Sequence, residues 1–165
     1  MIMVKAVVQT DPQNVAISEI MQSLRRIIKT LQDYSHEVSG QFGITGPQLW
    51  ALKIIRENGG LSLGDLSQRM YVHPSTISGL MDRLEKKGYV IRDRSQEDRR
   101  VVQVELTPRG NRLAKKAPNP IQGRMIYGLR RVKKEDLQRI RDSVQTLVEI
   151  MEAQTVKVTF FFDQE

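Results

Sequence analysis

The chain predicts a mainly α fold with a small β-hairpin wing, and two observations carry that prediction. The first is a pair of short helical patterns, LSLGDLSQRM and PSTISGLMDRLEKKG, followed at once by the strand-turn-strand pattern YVIRDRSQEDRRVVQVELTPRG across residues 61–110. The second is a long amphipathic stretch before them, with Ile17, Ile20, Leu24, Ile27, Ile28, Leu31, Tyr34 and Val38 at steps of three and four, the spacing of one helical face. The block reads as a winged helix-turn-helix, which offers one helix to a DNA major groove and a basic loop to the adjacent minor groove.

After the long helix, FGIT breaks the pattern. Thr45 is placed to cap a second helix and Pro47 to occupy its first turn, with Leu49, Trp50, Leu52, Ile54 and Ile55 inside it and Gly59-Gly60 ending it. Ser62-Leu63-Gly64-Asp65 has capping-box spacing, so a third helix begins there and buries Leu63, Leu66 and Met70. After Tyr71-Val72-His73, Pro74 starts a fourth helix that buries Ile77, Leu80, Met81 and Leu84 and stops at Gly88.

The other face of that fourth helix carries Ser75, Thr76, Ser78, Asp82 and Arg83. Small polar groups beside Pro74 can approach base edges and phosphates closely, and the helix dipole favours a phosphate there. Tyr89 to Arg94 and Val101 to Leu106 alternate as strands, joined by Ser95-Gln96-Glu97-Asp98-Arg99-Arg100. Arginine suits a narrow minor groove because its guanidinium is always ionised and sheds water readily; Asp98 stands two residues before Arg100 and can hold that side chain. Thr107-Pro108 then reads as a cap and first turn that returns the chain to helix.

Charge points the same way. The net charge is +7, 16 of the 26 Lys and Arg residues lie between Arg83 and Lys134, and no Asp or Glu occurs from Leu106 to Lys134. Double-stranded nucleic acid fits this asymmetry. The chain has no cysteine and two histidines, His36 and His73, which removes thiolate metal sites, disulfides and cysteine redox switching and leaves no expected metal or cofactor. No catalytic constellation or glycine-rich phosphate loop is visible, so an enzyme is not expected. Without a long apolar run or a leader pattern, the expected address is cytoplasmic, with no membrane partner.

At this point the residues resemble the MarR family of transcription regulators. LSLGDLSQRMYVHPSTISGLMDRLEKKGYVIRDRSQEDRRVVQVELTPRG is similar to that family's winged core, GITGPQLWAL to the helix before it, and KKEDLQRIRDSVQTLVEIM to its carboxy-terminal dimerisation helix. The most specific agreement is Asp98-Arg99-Arg100 followed by Leu106-Thr107 and Gly110, the family's DxR wing and LTxxG junction.

The resemblance covers Ile17 to Gln154. It implies a single domain over 1–165, with the winged unit at 61–110 and dimerisation helices at 17–42 and 121–154. It further implies a triangular homodimer that places Pro74 to Arg83 in the major groove and Arg100 in the minor groove, oriented by Asp98, on a pseudo-palindromic operator. A repressor released by a small aromatic or phenolic ligand follows by the same analogy, with Tyr34, His36 and Trp50 as candidate liners of its site. A winged-helix module for protein assembly, without specific DNA binding, is the competing expectation.

Two departures stand out. Pro118-Asn119-Pro120 interrupts a stretch that the family runs as unbroken helix. Strand-like ends, IMVKAVV within 1–10 and TVKVTFFF at 155–162, lie outside the resemblance and are candidates for extra strands.

Overall fold

The computed structural model describes residues 11–94, 101–156 and 160. Helix α1 (Pro12–Phe42) is longer than its apolar pattern, because the Asp11 side chain accepts a hydrogen bond from the Gln13 N–H at one end and Gly43 closes the other in the left-handed conformation. Only Tyr34 and Val38 of this helix are buried; Ile17, Ile20, Ile27 and Ile28 remain 46% to 57% exposed. The predicted apolar face is real in spacing; its end at Tyr34 and Val38 packs into the core, and the rest is left largely uncovered by the described residues.

Helix α2 (Gly46–Asn58) is the centre of the core. Thr45 caps it as expected, and Gln48 completes a reciprocal capping box with Thr45. Leu49, Leu52 and Ile55 are buried, and Gly59 ends the helix at φ 71°. Gly59 and Gly60 then deliver the chain to a two-residue strand, β1 (Leu61–Ser62), which the sequence pattern did not mark because two residues show no alternation.

Helices α3 (Leu63–Met70) and α4 (Pro74–Lys86) follow, with Ser62 capping the first by accepting from the Asp65 N–H at 3.0 Å. Leu66, Met70, Ile77, Leu80, Met81 and Leu84 are buried as expected, while Leu63 is half-buried. At the end of α4 the chain turns through Gly88 (φ 72°). Strands β2 (Val90–Arg94) and β3 (Val102–Leu106) then form the wing, pairing antiparallel from Val90↔Leu106 to Arg94↔Val102. Strand β3 also pairs with β1, Leu61↔Val104 and Ser62↔Gln103, giving the order β1-β3-β2.

Thr107 caps α5 (Pro108–Lys116) and ties it to the wing base. Its Oγ1 accepts from the Gly110 N–H at 3.0 Å and donates to the Gly88 carbonyl at 2.8 Å. Pro118-Asn119-Pro120 ends this helix as expected, and the Lys53 ammonium donates to the Ala117 carbonyl at 2.7 Å, satisfying an acceptor the broken helix leaves open. Burial, with the nearby Arg56 charge, holds Lys53 below the usual lysine range.

Helix α6 (Ile121–Arg131) and helix α7 (Lys134–Ile150) follow, separated by extended backbone at Val132 and Lys133. This second break carries no proline or glycine. None of the residues of α7 is buried; Ile140 and Val144 are 42% and 54% exposed, and Leu137 is 39% exposed. The expected strand at 155–162 does not form at Thr155 and Val156, which follow a turn after α7, and Phe160 is buried without strand pairing. The other candidate strand residues, 1–10 and most of 157–162, lie outside the described residues. Among those described, no helix is long and apolar enough to cross a membrane.

Candidate nucleic-acid interface

The reading unit is built by the turn between α3 and α4. Tyr71 takes the left-handed conformation at φ 55°, and its N–H is bonded to the Gln68 and Ser67 carbonyls. Val72 donates back to Ser67 as well. For a tyrosine this backbone costs about 1 kcal/mol, since its Cβ crowds the carbonyl.

His73, which the pattern assigned only to the turn, is the cap of α4. Its Nδ1 accepts from the Ser75 N–H at 3.3 Å and lies 2.8 Å from the Ser75 hydroxyl. The Thr76 N–H is bonded to the His73 carbonyl at 3.0 Å. Histidine is outside the usual set of capping residues, so composition gave no signal for it.

With that cap in place, Pro74 and Ser75 are exposed at the start of α4, and Thr76, Ser78 and Arg83 are half-exposed along it. Ser78 and Asp82 are one turn apart on the same face, and the opposite face is buried. The expected face is therefore assembled on one helix and open to solvent. Asp98, Arg99 and Arg100 lie outside the described residues.

The missed residues are Arg92 and Glu85. Arg92, on β2, pairs with both Asp82 and Glu85 of α4, its Nε 3.3 Å from Glu85 Oε2 and its backbone N–H donating to Glu85 Oε1 at 3.3 Å. The charge of two carboxylates on or beside the outward face is thus partly offset, and the first strand of the wing is tied to the helix. Nothing in the local spacing of residues 82, 85 and 92 announces this contact, because it exists only once β2 folds back along α4.

The candidate ligand residues separate. Trp50, buried, lines an apolar cavity of about 420 Å³ whose wall comes from α2, the α3–α4 turn, α6, Leu137 of α7 and Phe160. Tyr34 and His36 are absent from that lining. Tyr34 is buried against Gly46 near Gln122, and burial pushes its hydroxyl up to about 12, with the Ile121 backbone offsetting a smaller part. His36 is exposed on α1. Among the described residues no cluster of three or more His, Cys, Asp or Glu is arranged to hold a metal ion.

Comparison with known proteins agrees with this geometry. The model of the MarR family matches residues 44–102, from the residue before Thr45 to the start of β3. The HTH-type transcriptional regulator YsmB of Bacillus subtilis is 37% identical over 97 residues, 59% of this chain and 66% of that protein. The chain thus spans just under two thirds of that relative's length. The organic hydroperoxide resistance transcriptional regulator of Bacillus subtilis is 33% identical over 111 residues, 67% of this chain and 74% of that protein. A MepR-like protein solved in complex with pseudoligands is 28% identical, with a TM-score of 0.56 over 82% of this chain and 95% of the other. Helix order, the winged unit and these matches agree: the chain belongs to the MarR family of transcriptional regulators.

Proposed function

We propose that the protein is a homodimeric, sequence-specific DNA-binding regulator that acts as a repressor and is released by a small ligand. The observation that carries this reading is the open face of α4, with Pro74, Ser75, Thr76, Ser78 and Arg83 exposed or half-exposed while Arg92 offsets part of the charge of Asp82 and Glu85 beside it. In this reading α4 enters the major groove. Arg100 enters the minor groove, held by Asp98, with Arg99 on a neighbouring phosphate.

A second copy supplies the missing partner for the apolar faces of α1 and α7. Ile27, Ile28, Ile140 and Val144 are large side chains exposed on two long helices, an arrangement that a two-fold interface would bury. Pairing through α1 and through α6 and α7, which divide the expected helix at 121–154 in two, leaves both α4 helices free to address half-sites about one DNA turn apart. The cavity beside Trp50 is the effector site in this account. A ligand that binds better to a dimer with wrongly spaced α4 helices lowers DNA affinity by that difference.

Fluorescence anisotropy with labelled duplexes tests the DNA reading. If a dimer makes six to ten phosphate contacts, affinity falls roughly 10³-fold or more between 50 and 200 mM salt. Arg100→Ala weakens it further with the fold retained. A flat salt response together with a silent Arg100→Ala points instead to a winged-helix module for protein assembly.

A further inference from the structure

We propose that the Tyr71–Arg130 hydrogen bond is the element through which an uncharged apolar ligand in the Trp50 cavity acts on α4. This rests on the effector reading of that cavity and adds its ligand class and its route to the DNA-reading helix.

The ligand class follows from the wall. Trp50, Met70, Val72, Ile126, Leu129 and Phe160 supply apolar surface, and methionine adapts its shape to more than one occupant. Among the described lining residues the charged one is Arg130, which lies exposed and donates from Nη2 to the Tyr71 hydroxyl at 3.1 Å. An ionised carboxylate lodged among these apolar walls would lose its hydration, and the charge that the described lining offers it, Arg130, stands at the exposed rim. A neutral aromatic or aliphatic molecule loses little and gains the burial of its surface.

The route follows from Tyr71. It stands at the end of α3 in the left-handed conformation, where glycine or asparagine meets less steric resistance. A strained side chain kept at such a position points to a role for the side chain itself. Here the ring lines the cavity and reaches across to α6, joining residues 59 apart in sequence. The same residue begins the short turn that leads through Val72 to His73, the cap of α4. Its backbone is bonded to α3 at Ser67 and Gln68, so displacement of the ring is transmitted to the turn. An occupant that presses on the ring parts Tyr71 from Arg130 and releases the start of α4 from α6.

N-phenylnaphthylamine, an uncharged fluorophore, is the probe, and Trp50 is the sole tryptophan of the chain; energy transfer from it that is lost when Leu129→Arg fills the cavity wall reports occupancy of this cavity. Hydrogen exchange of the α4 amides, followed without DNA, reports the response. In the wild-type dimer the probe is expected to show transfer from Trp50 and to change α4 exchange by roughly fivefold or more. Tyr71→Phe and Arg130→Gln are each expected to keep transfer while α4 exchange no longer responds. Transfer with an unchanged α4 in the wild type, or a wild-type response in both variants, overturns the route and leaves the effector site standing. Absence of transfer in the wild type overturns the effector reading and the inference with it. Because no DNA is present, neither outcome depends on operator recognition.

Discussion

Gly110 lies so close to Tyr89 that a Cβ built on it would sit 2.0 Å from the Tyr89 carbonyl oxygen. The same carbonyl accepts from the Thr107 N–H at 3.0 Å, and the Thr107 hydroxyl reaches the Gly88 carbonyl. The LTxxG junction is therefore a contact device: Thr107 ties the end of α4 to the wing, and Gly110 lets α5 pack against that tie. Neither partner of the clash is the end of a flexible side chain. Gly110→Ala should destabilise the fold by about 3 kcal/mol or more, at the top of the overpacking range. Urea unfolding followed by circular dichroism measures it, and a loss under about 1 kcal/mol would show that the junction yields.

Arg92 pairs with Asp82 and Glu85 beside the open face of α4, offsetting part of their charge. Removing it with Arg92→Ala leaves two uncompensated carboxylates beside the DNA-facing surface. Duplex affinity should then fall about tenfold, a loss of ~1.4 kcal/mol. Asp82→Asn in the same background should restore part of it. Stability should hardly move, since partly exposed ion pairs contribute roughly 0–1 kcal/mol. Equal affinity for wild type and Arg92→Ala would remove this clamp from the account.

Tyr34 gives a pH dependence with a definite sign. Its hydroxyl is raised from 10.0 to about 12 by burial, so the folded state holds the proton more tightly than the unfolded chain. The stability it contributes is complete below pH 10 and is lost as pH rises toward 12. The full loss is at most about 2–3 kcal/mol for two pH units. Urea titrations from pH 8 upward, wild type against Tyr34→Phe, isolate the effect: the variant should lose the part of the alkaline slope that Tyr34 supplies. Parallel slopes would place the hydroxyl in contact with water.

The outward apolar faces of α1 and α7 predict what an aspartate does there. Ile27→Asp, at a position 57% exposed in the single chain, has little to disturb within the protomer. It should shift the protein from dimer to monomer in sedimentation experiments and leave the winged unit folded. A dimer that survives both Ile27→Asp and Val144→Asp would mean that the two copies meet elsewhere.

Much of this was legible because it is local chemistry. Thr45, Ser62, Pro74 and Thr107-Pro108 mark helix starts by satisfying or lacking backbone N–H groups, and Gly59 and Gly88 mark exits that need positive φ. What escaped depends on contacts between distant segments. Strand β1 exists only because β3 lies beside it, the Arg92 clamp only because β2 folds back on α4, and the break at Val132-Lys133 has no local marker. Among the ligand candidates, helical spacing put Tyr34, His36 and Trp50 on their helices but not at their depths. Trp50 faces the cavity, Tyr34 faces Gly46 and His36 faces solvent. Tyr71 and Arg130 were passed over because neither its turn nor its helix advertises a partner 59 residues away.

Selection of bound duplexes from a random pool tests the central claim most directly. A dimer that reads DNA through α4 should enrich a two-fold symmetric consensus whose half-site centres are about one helical turn, ~10 base pairs, apart. Enrichment should fail for a variant carrying Ser75→Glu and Ser78→Glu, which place negative charge on the face that would meet the groove. A pool that emerges with no consensus, or with the same consensus from that variant, would contradict sequence-specific recognition by α4.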